Sequence, residues 1–257
     1  MNRVRVIGVS VLCAAMAAPA AADVTLKQKV TGKGMVASSG ESMQYIKGTR
    51  MRLDQTTTGN ENSTIIDANA QQMIVLNHKR REAEVYDMTK LVADLAKIPI
   101  SDVKASVTPT KQTRQIAGST CTVHDMQVTV PTTMGPEQVT FVLAGPICLV
   151  KNGPGATDFA AFYKAAAEKG LFFGDPRMAK AQPGQTKGMA TMYREMAALG
   201  VPLSQEMNFK FEGSGAMAAM MAKMGGNSMT TEVVSISTDA IPDATFEVPE
   251  GYKIVKR

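Results

Sequence analysis

MQYIKGTRMRLDQTTTGNENSTIIDANAQQMIVLNHKRREAEVYD, residues 43–87, is the stretch that decides the fold. Met43 and Tyr45 run into Lys47-Gly48, Met51 and Leu53 continue beyond it, and Thr64 to Asp67 and Met73 to Leu76 flank the turn Asp67-Ala68-Asn69-Ala70. A period of two puts alternate side chains on opposite faces of a strand, and short turns between such runs join neighbours antiparallel. The stretch predicts consecutive hairpins and a sheet with one face turned to a core.

The same period extends in both directions. Upstream, Val24, Leu26, Gln28 and Val30 alternate; downstream, Val85-Tyr86-Asp87 closes a further strand. Met88 to Lys97 then takes helical spacing through Leu91, Val92 and Leu95, with Pro99 as its stop. Strands resume at Val103, Ala105 and Val107, at Thr120 to Val130 and at Val139 to Leu143. After Cys148 the pattern changes. Gly153-Pro154-Gly155 marks a turn, Asp158 to Lys169 a helix stopped by Gly170, and a Gly/Pro-rich stretch leads to a second helix, Lys187 to Leu199, stopped by Gly200. Strands return at Glu206 to Glu212 and Thr230 to Ser237, with the short segment Ala216 to Met224 between them, and the tail from Ile241 to Tyr252 reads as an extended edge strand.

Residues 1–22 read as a cleaved signal peptide: Arg3 and Arg5 form a basic start, Val6 to Met16 an apolar run, and Ala20-Ala21-Ala22 a small-residue cleavage site before Asp23. The expectation is a periplasmic product, residues 23–257, that does not span the membrane. Of the 28 basic residues the leader takes two, leaving 26 against 23 acidic, a mild net charge of +3. The dense basic run His78-Lys79-Arg80-Arg81 is followed at once by Glu82 and Glu84, which fits a solvated hairpin tip and argues against a nucleic-acid partner. Cys121 and Cys148 remain in the mature chain; in an oxidising compartment a disulfide is expected, closing a loop of 28 residues and contributing about 3.5 kcal/mol.

The sharpest functional pattern is an apolar stripe at i, i+3, i+4 and i+7 that occurs three times: Phe159, Phe162, Tyr163 and Ala166; Met189, Met192, Tyr193 and Met196; Met217, Met220, Met221 and Met224. Each stripe either packs on the sheet as core or lines a ligand surface. Seventeen methionines and no tryptophan in the mature chain favour an adaptable surface, because methionine is flexible and polarizable. Thioethers are also soft ligands for Cu(I), so residues 217–229 carry a third reading as a copper segment. Catalytic patterns are weak: Gly213-Ser214-Gly215 lacks nucleophile-elbow spacing, and His124-Asp125 are adjacent in a strand and point to opposite faces. No enzyme activity, cofactor or metal site is expected from these residues.

Lys47-Gly48-Thr49-Arg50-Met51-Arg52 with Thr64-Ile65-Ile66-Asp67, then Arg114-Gln115-Ile116-Ala117-Gly118 before Cys121, and the run Ile241-Pro242-Asp243-Ala244-Thr245-Phe246-Glu247-Val248-Pro249-Glu250-Gly251-Tyr252, together resemble the bacterial family called domain of unknown function 4412. That family is similar in pattern to the periplasmic lipoprotein carriers and receptors LolA and LolB. The resemblance implies an α+β fold: a curved antiparallel sheet, an incomplete β-barrel, with helices covering its concave face. It also suggests an apolar cavity. The chain departs from the simplest pattern through a helical insertion at about 153–226. The first expectation is therefore a periplasmic binding protein for an apolar or lipidic ligand, such as a lipid or lipidated peptide. The alternative is an envelope interaction module that docks another protein and takes no small molecule.

Overall fold

The computed structural model describes residues 23–257 apart from 35–36, 58–59, 99–102, 135–136, 172–174, 180–182 and 224–225. The leader, Pro99 and Met224 lie outside the described residues, as do the side chains of Met217 and Met221.

The hairpins expected over 43–87 form. β1 (Val24–Lys33), β2 (Ser39–Lys47), β3 (Arg50–Thr57), β4 (Asn60–Asp67), β5 (Gln72–Asn77) and β6 (Glu82–Asp87) are antiparallel neighbours in chain order. Two of their turns share one chemistry. Asp67 accepts the N–H of Ala70 and Asn77 that of Arg80, both at 2.9 Å, and each loop closes on a residue of positive φ, Gln71 and Arg81. A short polar side chain that captures the backbone two or three residues on favours a turn over continued strand. Asp87 then caps α1 (Met88–Ala96), accepting the N–H of Thr89 at 3.0 Å.

The second half is a meander of longer strands. β7 (Lys104–Ile116) and β8 (Ser119–Met134) are joined through Ala117-Gly118, both of positive φ, and β9 (Glu137–Val150) follows. α2 (Ala156–Glu168), α3 (Pro176–Ala179) and α4 (Pro183–Ala197) come next, then β10 (Val201–Glu212), α5 (Ala216–Lys223) and β11 (Asn227–Ser237). The stretch 153–226 thus supplies β10 as well as helices, and β10 lies between β9 and β11 inside the sheet.

All the described strands belong to one sheet, ordered β12-β6-β5-β4-β3-β2-β1-β11-β10-β9-β8-β7, which is not closed into a barrel; β12 is Lys253–Lys256. The architecture is α+β. Phe159, Phe162, Tyr163 and Ala166 of α2 share one apolar cluster with Leu26, Ile46, Met51, Ile66 and Met73 from the first meander and with Val123, Val201 and Leu203 from the second. The sheet therefore bends around α2. Cys121 and Cys148 are disulfide-bonded across the adjacent strands β8 and β9, with Cα atoms 5.4 Å apart.

The tail departs from its expected form. Residues 241–252 do not run as an edge strand but cross the outer face, with a 3-10 turn at Asp243–Phe246; the edge strand is β12, which pairs parallel with β6. The reason is a second apolar layer. Ile65, Ile74, Leu76 and Ala83 point away from α2, and Ile241 and Phe246 bury themselves against them.

Candidate functional site

Strand alternation places Gln44 on the concave face beside Ile46, where its Nε2 donates to Tyr163 Oη at 3.1 Å and meets the Met51 sulfur at 3.0 Å. Tyr163 packs tilted against Phe159 at 4.3 Å between ring centroids and stacks on Tyr193 at 5.7 Å, so α2 and α4 are joined by aromatic contact. Burial pushes the Tyr163 phenol well above its ordinary range and that of Tyr193 up to about 12. Both hydroxyls stay protonated, and Tyr163 remains available to accept from Gln44.

The first two stripes are interior. Phe159 and Phe162 are at most 1% exposed, and Met192 and Met196 likewise, the methionines sitting in a second cluster with Val128, Val130, Leu143 and Ile147. Met189 and Tyr193 are partly buried at its margin. α4 comes this close because it turns Gly188 to β8: a Cβ there would lie 2.9 Å from Val128 Cγ1 and 3.0 Å from Val130 Cγ2. The third stripe does not join them at its described position. Among the described side chains of α5, Ala218 is buried, set against Gly213, while Met220 is 47% exposed. Small residues bring α5 onto the end of β10, which turns Met220 outward.

Space remains beside α4. A cavity of about 160 Å³ lies between α1 and α4, walled by Val92, Leu95 and Ala96, by Gly170, and by Pro183 and Ala190, with Thr186 and Lys187 also on its lining. Its walls are almost wholly apolar. Typical small-molecule sites hold roughly 300–1,000 Å³. This one is sized for the end of a chain rather than a whole lipid. Leu91, Val92 and Leu95 marked the apolar face of α1 in the sequence, but nothing there shows that α4 leaves part of that face uncovered.

The outer face carries a polar arrangement that pattern reading missed. Arg52 Nε donates to Asp54 Oδ1 at 2.7 Å and its Nη1 to the Thr245 carbonyl at 2.9 Å. Ser63, 1% exposed, donates to Asp54, and its oxygen lies 2.7 Å from His78 Nε2; His78 Nδ1 lies 2.6 Å from Tyr252 Oη. Because the Ser63 proton goes to Asp54, Nε2 carries the hydrogen of the Ser63–His78 contact. The serine thus has no base on its proton, and the row works as a clasp holding the tail. Lys47 Nζ donates to the Ile241 carbonyl at 2.7 Å, and Arg50 pairs with Asp243 at 2.6 Å while covering the Phe246 ring. His124 is buried with Nδ1 on the Thr122 carbonyl at 2.9 Å, apart from this row. Among the described residues no group of three or more His, Cys, Asp or Glu side chains is placed to hold a metal ion.

At the sheet edge, Glu84 accepts from the Tyr86 hydroxyl and from Arg257, which hold its carboxyl below the ordinary range; burial, with Glu84 beside it, pushes the Tyr86 phenol up to about 12. No described helix is long and apolar enough to cross a membrane.

The chain matches no protein-family model and no curated protein. Among solved structures it is similar to an uncharacterized conserved protein from Thermus thermophilus, with a TM-score of 0.41 and 10% identity over 92% of this chain and 91% of that one. It is also similar to PNGF-II, with a TM-score of 0.39 and 12% identity over 92% of this chain; it spans 31% of the PNGF-II chain.

Proposed function

We propose that this chain is an exported, non-catalytic binding protein for an apolar or lipidic ligand, built as a LolA/LolB-like half-barrel. The observation that carries the reading is the apolar cavity between α1 and α4. The filled interior around Phe162, Met192 and Met196 moves the proposed site away from the methionine stripes and onto this seam. Lys187 on the cavity lining supplies a cation for a carboxylate or phosphate head group, while an acyl end enters between Val92, Leu95 and Ala190. Each methylene so buried contributes about 0.8 kcal/mol. The Cys121–Cys148 bridge supports an oxidising compartment and thus agrees with the leader.

The test is mass spectrometry of organic extracts from the processed protein purified from its native envelope, paired with displacement of a fluorescent fatty acid. A co-purifying lipid and saturable displacement are expected. Absence of both overturns the reading. The envelope interaction module then takes its place; the close packing of α2 and α4 and the exposed Ile254 on edge strand β12 favour it.

A further inference from the structure

Among the described residues, Oδ2 of Asp158 is a buried side-chain oxygen with no hydrogen-bond partner. Asp158 is 2% exposed and stands in the first turn of α2, where backbone N–H groups of Gly48 and of Asp158 itself face the carboxyl. A buried carboxylate needs a cation or it gives up its charge. The nearest charges do not serve. Asp23 is itself acidic, and its Oδ2 accepts the Ile241 N–H at 2.6 Å. Lys47 Nζ is directed to the outer face, 3.8 Å from Asp23, 3.2 Å from Asp243 and 2.7 Å from the Ile241 carbonyl.

One further cation belongs to this corner in the mature protein. The start of α2 rests on the start of β1: a Cβ on Gly155, whose φ is +71°, would lie 2.3 Å from Val24 Cγ2. Val24 points inward and pairs with Ile46, so Asp23 sits beside Lys47 and Gly48 with its main-chain nitrogen at the same end of the sheet as Asp158. Hydrolysis of the Ala22–Asp23 bond adds water across it, hydroxyl to the Ala22 carbonyl carbon and proton to the Asp23 nitrogen, which becomes an ammonium at neutral pH.

We propose that the α-ammonium of Asp23, freed when the leader is removed, is the missing partner of Asp158 Oδ2, so that processing completes the docking of α2 on the sheet. The proposal rests on the export reading above for the cleavage event, and not on any ligand. It assigns a role to the new N-terminus that the leader-bearing chain cannot fill, because there the same nitrogen is an uncharged amide.

The test is a thermal-unfolding cycle on residues 23–257, which contain every described element. Protein beginning at Asp23 with a free amine, released from a fusion by a protease that leaves no extra residue, is compared with its N-acetylated form and with the leader-bearing chain, each with Asp158 and with Asp158→Asn. The free-amine wild type is expected to melt at least ~3 °C above both blocked forms. Asp158→Asn is expected to abolish that difference, lowering the melting temperature of the free-amine form while raising or preserving that of the blocked forms. Asp158→Ser serves if the asparagine variant does not fold. Equal melting of free and blocked wild type, or an amine effect that persists unchanged in both variants, overturns the pairing. Separately, N-terminal sequencing of the exported protein is expected to begin at Asp23; a different first residue overturns the cleavage step, and the cycle then reports on the corner alone.

Discussion

Tyr252 Oη lies 2.6 Å from Nδ1 of His78, 174 residues earlier in the chain. The contact ends a row that runs through Ser63 to Asp54 and Arg52, and it holds the tail over the outer apolar layer. Lys47, Arg50 and Arg52 on one side and the tail from Ile241 to Tyr252 on the other are therefore the two halves of one clasp. Tyr252→Phe removes the last hydrogen bond and is expected to cost about 1–2 kcal/mol in urea unfolding. Ser63→Ala removes a buried group that serves two neighbours at once and is expected to cost about 2–3 kcal/mol.

The Cys121–Cys148 bridge is expected to be worth about 3.5 kcal/mol. A Cys121→Ala/Cys148→Ala variant should unfold at correspondingly lower urea. Reductant should destabilise wild-type residues 23–257 by a similar amount and leave the variant unchanged, and this wild-type chain, which lacks Cys13, should show no free thiol when labelled under denaturing conditions.

Core and cavity are separable by substitution. Ala190→Phe fills the space between α1 and α4 and is expected to weaken fatty-acid displacement at least tenfold with little change in circular dichroism. Phe162→Ala, at a fully buried position, is expected to cost about 3–5 kcal/mol of stability because it leaves a void beside α2. Weak displacement in a fully stable Phe162→Ala protein would place the site in the interior instead.

Acid should loosen the parallel edge. The Tyr86 hydroxyl and Arg257 hold the Glu84 carboxyl lower in the folded chain than the ordinary value of about 4.3 in the unfolded one. A depressed carboxylate contributes stability that is fully present above the unfolded value and is lost as pH falls through the folded one. Stability measured from pH 5 downward is therefore expected to decline. In Glu84→Gln this share of the decline should be missing, with the largest change in hydrogen exchange at residues 253–256.

The first meander was readable because Val24, Leu26, Met51 and Leu53 alternate in a plain period of two. So were α1, α2 and α4, whose apolar spacing is a local signal, with Gly170 and Gly200 as the stops of α2 and α4. The outer layer was harder to see. Ile65-Ile66 and Met73-Ile74-Val75-Leu76 are apolar at adjacent positions, the mark of strands covered on both faces, yet the residues that cover them lie far along the chain. The tail's own apolar residues resemble a strand when taken alone. The outward turn of Met220 was illegible for a related reason: it follows from the close approach of Ala218 to Gly213, which the spacing of the methionines does not encode. The α1–α4 cavity depends on how far two helices stand apart, and periodicity does not encode that distance.

β1, the first strand made, pairs on one side with β2 and on the other with β11, whose last paired residue is Ser237. Each meander can zip from its own hairpins, but the seam between them must wait until almost the whole chain has arrived. Pairings between such distant residues form late, because the intervening loop must be closed first. A chain emerging from its N-terminus thus keeps its central seam open until synthesis is nearly over, so the order of strands itself delays closure of the sheet.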